Sequence, residues 1–191
     1  MTKFLMKIRE ILPSLLILLL LIASCGIFET REAEDPVGKV YWNHFPITAF
    51  QTLDNLIYAY DYNENINRYS TILSDDFEFF FDTQDIQDFN LPISWNKQME
   101  VEMRSLIDKK IELELALIED KDDIIQSDTA VIYRDYHLVL TRSSGTTNFI
   151  GSMTLYMQRD TDGFWRINRW EDFRKENQVT WGRLKYEFIP Q

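Results

Sequence analysis

The amino-acid sequence predicts an α+β domain: three helices in the N-terminal half, packed on a strongly curved antiparallel sheet of about five strands. Three observations predict it. Apolar residues recur at spacings of three and four in the first half of the chain and at a spacing of two from Ile111 onward. The period-two segments are joined by short turns, and strands joined so closely run antiparallel. Aromatic residues make up 14% of the chain, which points to a core built on large rings. Helices gathered ahead of a strand meander make an α+β arrangement rather than alternating βαβ units.

The first helix is expected over residues 48–62, where Phe50, Leu53, Leu56, Ile57 and Tyr60 form one stripe behind Pro46. Asn63, Glu64 and Asn65 interrupt it. A short second helix follows, with Ile66, Tyr69, Ile72 and Leu73 on one side. Phe77–Asp82 reads as the first strand, with Phe77, Phe79 and Phe81 facing one way. Residues 84–91 are polar and read as a loop. A third helix is expected after Pro92, capped by Ser94 and carrying Trp95, Met99, Met103, Leu106 and Ile107 as its apolar stripe.

Four strands complete the domain. Ile111, Leu113, Leu115 and Leu117 alternate with polar or small residues, and Glu119–Asp123 is a charged turn. Residues 129–141 form a long strand rich in β-branched and aromatic residues, closed by Ser143-Ser144-Gly145. Residues 149–159 and 164–173 are the last two strands, joined by a tight hairpin at Asp160-Thr161-Asp162-Gly163. Trp181, Tyr186 and Phe188 in the tail are expected to pack on the outside of the sheet.

The N-terminus has a different logic. Lys3, Lys7 and Arg9 precede an unbroken apolar run, Leu15–Ala23, followed by small residues and the chain's one cysteine, Cys25. This is the layout of a secretory signal. A membrane-spanning helix needs roughly 20 apolar residues, more than the run supplies. Ile22-Ala23-Ser24-Cys25 resembles the lipobox of bacterial lipoproteins. The resemblance implies that residues 1–24 are removed by signal peptidase II and that Cys25 is lipidated on its sulfur and on its new amine. Several acyl chains anchor stably, since each buried CH₂ contributes about 0.8 kcal/mol. Residues 25–40 then form a charged tether with Pro36 and Gly38, and residues 41–191 form the domain. Gly26 in place of Asp hints at the periplasmic side of the outer membrane in a diderm host.

The net charge of −11 argues against nucleic-acid partners, because phosphates repel so acidic a chain. A single cysteine leaves no internal disulfide.

Within the domain, the helix ending Ala59-Tyr60, the Ile66-Asn67-Arg68-Tyr69 helix, the run Leu73-Ser74-Asp75-Asp76-Phe77 and the strand opening Gly163-Phe164-Trp165-Arg166-Ile167 resemble the nuclear-transport-factor-2-like superfamily, with its cystatin-like cone. The likeness covers roughly residues 47–173. It implies a conical pocket between sheet and helices. Members range from ketosteroid isomerase, dehydratases and cyclases to non-catalytic binding domains, so fold does not settle function.

Candidate pocket residues are Tyr133, Asp135 and His137, which share one face of their strand, together with Trp95, Arg169 and Trp170. The plainer reading of the Tyr-Asp-His row is a solvent-facing face, with Ala130, Ile132, Leu138 and Leu140 on the core side. Arg169 reads more readily as half of a cross-strand ion pair, which contributes little. No residue is assigned as catalytic. No metal site is expected, because His44 and His137 are far apart and the acidic run from Asp75 to Asp88 lacks the calcium-loop pattern. No phosphate loop or nucleophile elbow is present, and no cofactor is implied. The leading expectation is a membrane-anchored, periplasm-facing domain that binds a small apolar ligand or a protein partner. The alternatives are a pocket acid/base enzyme of the isomerase, dehydratase or cyclase type, and a homodimer formed through the open sheet face.

Overall fold

In the computed structural model, which describes residues 41–62, 66–107 and 111–188, helix α1 (Ala49–Asp61) begins with a capping box. The Thr48 hydroxyl accepts from the Gln51 N–H, and the Gln51 side chain accepts from the Thr48 N–H, so two orphan donors of the first turn are satisfied. Residues 1–24, expected as an export signal, Cys25 and the residues expected as a tether lie outside the described residues, as does the Asn63-Glu64-Asn65 break. The buried face of α1 is Ala49, Thr52, Leu53, Asn55, Leu56, Ala59 and Tyr60. Phe50, expected in the stripe, is exposed.

After α2 (Ile66–Thr71), β1 (Leu73–Phe80) begins four residues earlier than the aromatic alternation predicts. Residues 84–91 are not a loop. Helix α3 (Thr83–Phe89) is capped by Asp82, which accepts from the Gln84 and Asp85 N–H groups, and ends at Asn90 in the left-handed region (φ 54°). Ser94 is not the next cap either. Ser94–Asn96 is a short strand, β2, paired with β1, and Asn96 caps α4 (Lys97–Leu106) by accepting from the Met99 N–H. The expected stripe on α4 is rotated: Glu100, Met103 and Arg104 face inward, while Met99 and Leu106 are exposed.

The second half of the chain follows its alternation closely. β3 (Glu112–Glu119), β5 (Thr129–Arg142), β6 (Gly145–Arg159) and β7 (Trp165–Arg174) form an antiparallel meander, with a two-residue β4 (Ile124–Ile125) beside β5. The sheet order is β2-β1-β7-β6-β5-β3. It is a mixed sheet of seven strands among the described residues, not an antiparallel sheet of five, because β1 pairs with β7 in parallel. Helices separate β1 from the meander in sequence, which gives the chain room for such a return. A bulge where Tyr156 and Met157 pair with Arg169 and Ile167 leaves Asn168 as the extra residue and bends β7. Helix α1 packs on both β7 and β3, which lie three strands apart, so the sheet curls around it.

The last element overturns the expectation for the tail. Helix α5 (Trp181–Glu187), capped by Thr180, buries Trp181, Gly182, Leu184 and Lys185. It lies inside the curl rather than outside the sheet: Trp181 meets Tyr60 of α1, Tyr136 of β5 and Trp170 of β7. No helix among the described residues is long and apolar enough to cross a membrane.

Candidate functional site

The concave face of the sheet is where this architecture would hold a pocket, and here it is packed. The rings of Trp181 and Tyr60 and those of Trp181 and Trp170 lie 4.6 Å apart, near perpendicular. Phe79 adds edge contacts with Phe81 and Trp170. Perpendicular ring packing sets the positive edge of one ring on the negative face of the next, which adds about 0.5–1.5 kcal/mol per pair to the burial itself.

Two buried polar clusters sit among these rings. In the first, the Lys185 ammonium donates to Glu100 Oε1 at 2.7 Å, and both side chains are essentially without solvent exposure. Tyr69 donates its hydroxyl to the same oxygen at 2.5 Å, and the Trp95 indole N–H donates to Oε2 at 2.8 Å. The ammonium also lies 3.6 Å from the ring centroid of Trp170 and 3.7 Å from that of Phe79. Its charge is therefore met by one carboxylate and two π-faces. Burial pulls Lys185 down to about 8, against the opposing pull of Glu100. Burial, followed by the Glu100 charge, drives the Tyr69 hydroxyl well above its ordinary value.

In the second cluster, Asp172 accepts from the Tyr136 hydroxyl (2.6 Å) and the Gly182 N–H (2.6 Å), and Tyr136 Oη accepts from the Trp181 N–H (2.9 Å). Two glycines make the approach possible. A Cβ on Gly151 would stand 2.3 Å from Tyr136 Oη, and one on Gly182 would stand 2.8 Å from Asp172 Oδ2. Burial raises Asp172 to about 6, although Tyr136, Gly182 and Lys185 all favour its charged form. Nearby, Asp85 joins α3 to the rest: it pairs with Arg174 and accepts from the Thr180 hydroxyl, the cap of α5.

The Asp172 shift has a sign that can be measured. A folded-state value above the unfolded one means the native state binds the proton more tightly. The stabilisation is complete below about pH 4 and is lost as pH rises through about 6. Two units correspond to about 3 kcal/mol. Denaturant titration of the wild type against Asp172→Asn should therefore show the wild type's advantage shrinking by up to this amount between pH 4 and 7. A gap that stays constant across that range would place the proton elsewhere.

The six residues singled out from the sequence do not form one pocket. Tyr133, Asp135 and His137 lie on the outer face of β5, opposite the inward row Ile132, Arg134, Tyr136, Leu138. Tyr133 lies under the Lys121 ammonium (3.9 Å), Asp135 accepts from Ser152 and pairs with Lys175, and His137 meets Asn148 at 2.8 Å. Arg169 is also outside, over Phe80 and paired with Glu171. Trp95 and Trp170 are inside, at the two faces of the Glu100–Lys185 cluster. Glu100, Lys185, Tyr69, Tyr136 and Asp172 escaped the sequence reading. For one of them a signal was present: Tyr136 falls in the inward phase of β5, where a polar group needs a buried partner, whereas Asp172 turns inward only because the bulge at Asn168 shifts the phase of β7.

A cleft of about 380 Å³ opens elsewhere, between residues 42–46, α1, α2 and the β6–β7 hairpin. Trp42, His44, Asn67, Arg68, Phe164 and Arg166 line it. Its wall is fixed by Asn55, buried on α1, which accepts from the Asn43 N–H (2.6 Å) and donates to the Asn43 carbonyl (2.9 Å). Trp42 packs edge-on against Tyr58, and the Arg68 guanidinium lies 5.7 Å from the Trp42 ring. No group of three His, Cys, Asp or Glu side chains converges as a metal site among the described residues.

A conserved protein from Planctomyces limnophilus superposes with a TM-score of 0.55 at 15% identity, covering 64% of this chain and 89% of its own. A nuclear transport factor 2 (NTF2-like) superfamily protein from Salmonella enterica gives 0.50 at 15% identity, covering 68% and 90%. The fold is nuclear-transport-factor-2-like. A hexachlorocyclohexane dehydrochlorinase also shares it (TM-score 0.50, 11% identity, covering 68% of this chain and 85% of the other), so this fold carries enzymes as well as proteins of unknown function. No protein-family model and no curated protein matches the chain.

Proposed function

We propose that this chain is a lipid-anchored, periplasm-facing binding protein that does no chemistry in its cone and recognises its ligand or partner from outside. In this reading residues 1–24 are the export signal, Cys25 carries the acyl chains, residues 25–40 are the tether and residues 41–191 are the nuclear-transport-factor-2-like domain. One observation carries the non-catalytic part: the chain's own α5 occupies the space where a substrate would sit, with Trp181 and Lys185 buried, the Trp181 backbone N–H held by Tyr136 Oη and the Lys185 ammonium held by Glu100. His137, the one histidine that an acid/base reading would use, lies on the opposite face of the sheet. The cleft at Trp42 supplies what an outside binding site needs: a concave surface, aromatic walls and a few placed polar groups.

Native mass spectrometry of the protein extracted from its own membrane tests this reading. The expected result is a mature chain beginning at an acylated Cys25, with any retained ligand lost from Trp42→Ala and kept by His137→Ala. A ligand that survives Trp42→Ala and disappears when α5 is disturbed by Lys185→Met would place binding in the cone and overturn the reading. An unmodified Cys25 would overturn the anchor.

A further inference from the structure

The exposed apolar side chains are not spread evenly over this domain. Of the fourteen large ones among the described residues, six belong to two short segments: Tyr41 (74% exposed), Phe45 (69%), Ile47 and Phe50 in one, Ile124 and Ile125 in the other. A continuous run of backbone pairing sets both segments at the same end of the sheet. The Trp165 N–H donates to the Pro46 carbonyl, Trp165 pairs with Arg159, the Arg159 N–H donates to the Asp128 carbonyl, and the Gln126 N–H donates to the Thr129 carbonyl. At about 4.8 Å per strand step, the two segments lie about 20 Å apart. The Phe45 ring rests on Phe164 beside the β6–β7 turn, so its other face is free of the fold. The charges between the two segments are matched internally: Arg166 pairs with Asp160 and Asp162, and Arg159 lies 3.9 Å from Asp128.

We propose that this end of the domain lies on the surface of the bilayer in which Cys25 is anchored, with Tyr41, Phe45, Ile47 and Phe50 at the lipid interface and Ile124 and Ile125 as a second point of contact. The proposal rests on the lipid-anchored reading above. The length and attachment of the chain outside the described residues favour lipid as the occupant. Fifteen residues, Gly26 to Val40, separate Cys25 from Tyr41 and span at most about 58 Å however they run. They join the domain at Tyr41, the first residue of the apolar end. The far end, at the β5–β6 turn, is up to about 50 Å away along the 15-residue β6. A surface tethered this closely meets the bilayer at high effective concentration, so a weak apolar contact is sufficient to hold it there. Aromatic side chains that present a polar or rigid edge favour the headgroup level. An acidic protein gains nothing from anionic headgroups, so the contact is apolar and insensitive to salt.

Spin labelling of the full, acylated protein tests the proposal. Acylation consumes the one native cysteine, so a single introduced thiol labels alone. Phe45→Cys, Ile125→Cys and, at the far end, Ser144→Cys carry the label, and the protein is reconstituted in phosphatidylcholine vesicles. Collision with oxygen, which enriches in lipid, is compared with collision with a water-soluble nickel chelate. The expected result is oxygen-dominated relaxation at 45 and 125 and nickel-dominated relaxation at 144, unchanged between low and high salt. Nickel-dominated relaxation at all three positions in protein that floats with the vesicles overturns the docking and leaves the anchor standing. Protein that fails to float overturns the anchor and the docking with it. Strong label–label broadening at 45 overturns the proposal in favour of a second copy on this face.

Discussion

Replacing Lys185 by methionine should cost about 3–5 kcal/mol of folding stability, the range for leaving one partner of a buried ion pair unmatched. Methionine fills most of the volume and keeps the contact with Trp170 and Phe79, so packing loss is small. What remains is the Glu100 carboxylate, fully buried, still accepting from Tyr69 and Trp95 but without the ammonium that pairs with it. Two consequences separate this cause from a packing defect. First, the loss should ease in acid, because a lone buried carboxylate takes up a proton more readily in the native state, and stability then rises as pH falls. Second, Glu100→Gln should rescue it. Glutamine at 100 can accept from the Trp95 N–H with its carbonyl and donate to Tyr69 Oη with its amide, leaving no buried charge. The double variant should recover most of the loss in chemical denaturation. A double variant no more stable than Lys185→Met alone would show that the pair matters through shape rather than charge.

How much of this was legible beforehand depends on whether the stabilising contact is local. The long strands were, because their alternation is itself the contact pattern: Ile132, Leu138 and Leu140 inward, Val131 and Val139 outward. Helix α3 was not. It has no apolar stripe, and Asp85 and Asp88 are held by Arg174, some ninety residues on. The parallel β1–β7 pairing was hidden for the same reason, since neither strand carries a mark of its neighbour. The rotation of α4 follows from Glu100, which a periodicity argument places in water but which is matched by Lys185 from the far end of the chain. For the candidate site the row of even-numbered residues on β5 held the missed clue. A core row that continues through Arg134 and Tyr136 requires buried acceptors, and Asp123 and Asp172 supply them. The charged tail residue Lys185 has no such register to reveal it, so the sequence pattern alone puts the tail on the outside of the sheet.

Trp181→Ala should be the most disruptive single truncation, costing about 3–5 kcal/mol. The ring is fully buried and touches Tyr60, Tyr136 and Trp170, each from a different element, so collapse around the void would have to move α1, β5 and β7 together. Rigid walls of that kind keep a cavity open, which puts the cost at the upper end of the range. Domains of this size have about 5–15 kcal/mol in total, so the variant should fold with a lowered melting temperature rather than fail outright. The vacated space is bounded by aromatic faces with the Lys185 ammonium close by (5.6 Å from the native Trp181 ring). It is thus a largely aromatic cavity shaped for one indole, and a cavity of that kind accepts a matching small molecule. Indole added at about 100 times its dissociation constant should restore about 2.7 kcal/mol to the variant and nothing to the wild type. Equal stabilisation of both proteins would mean that indole binds elsewhere and that the cone is less tightly filled than its contacts require. Rescue confined to the variant would establish that α5 is the resident occupant of a pocket the fold still has room to form.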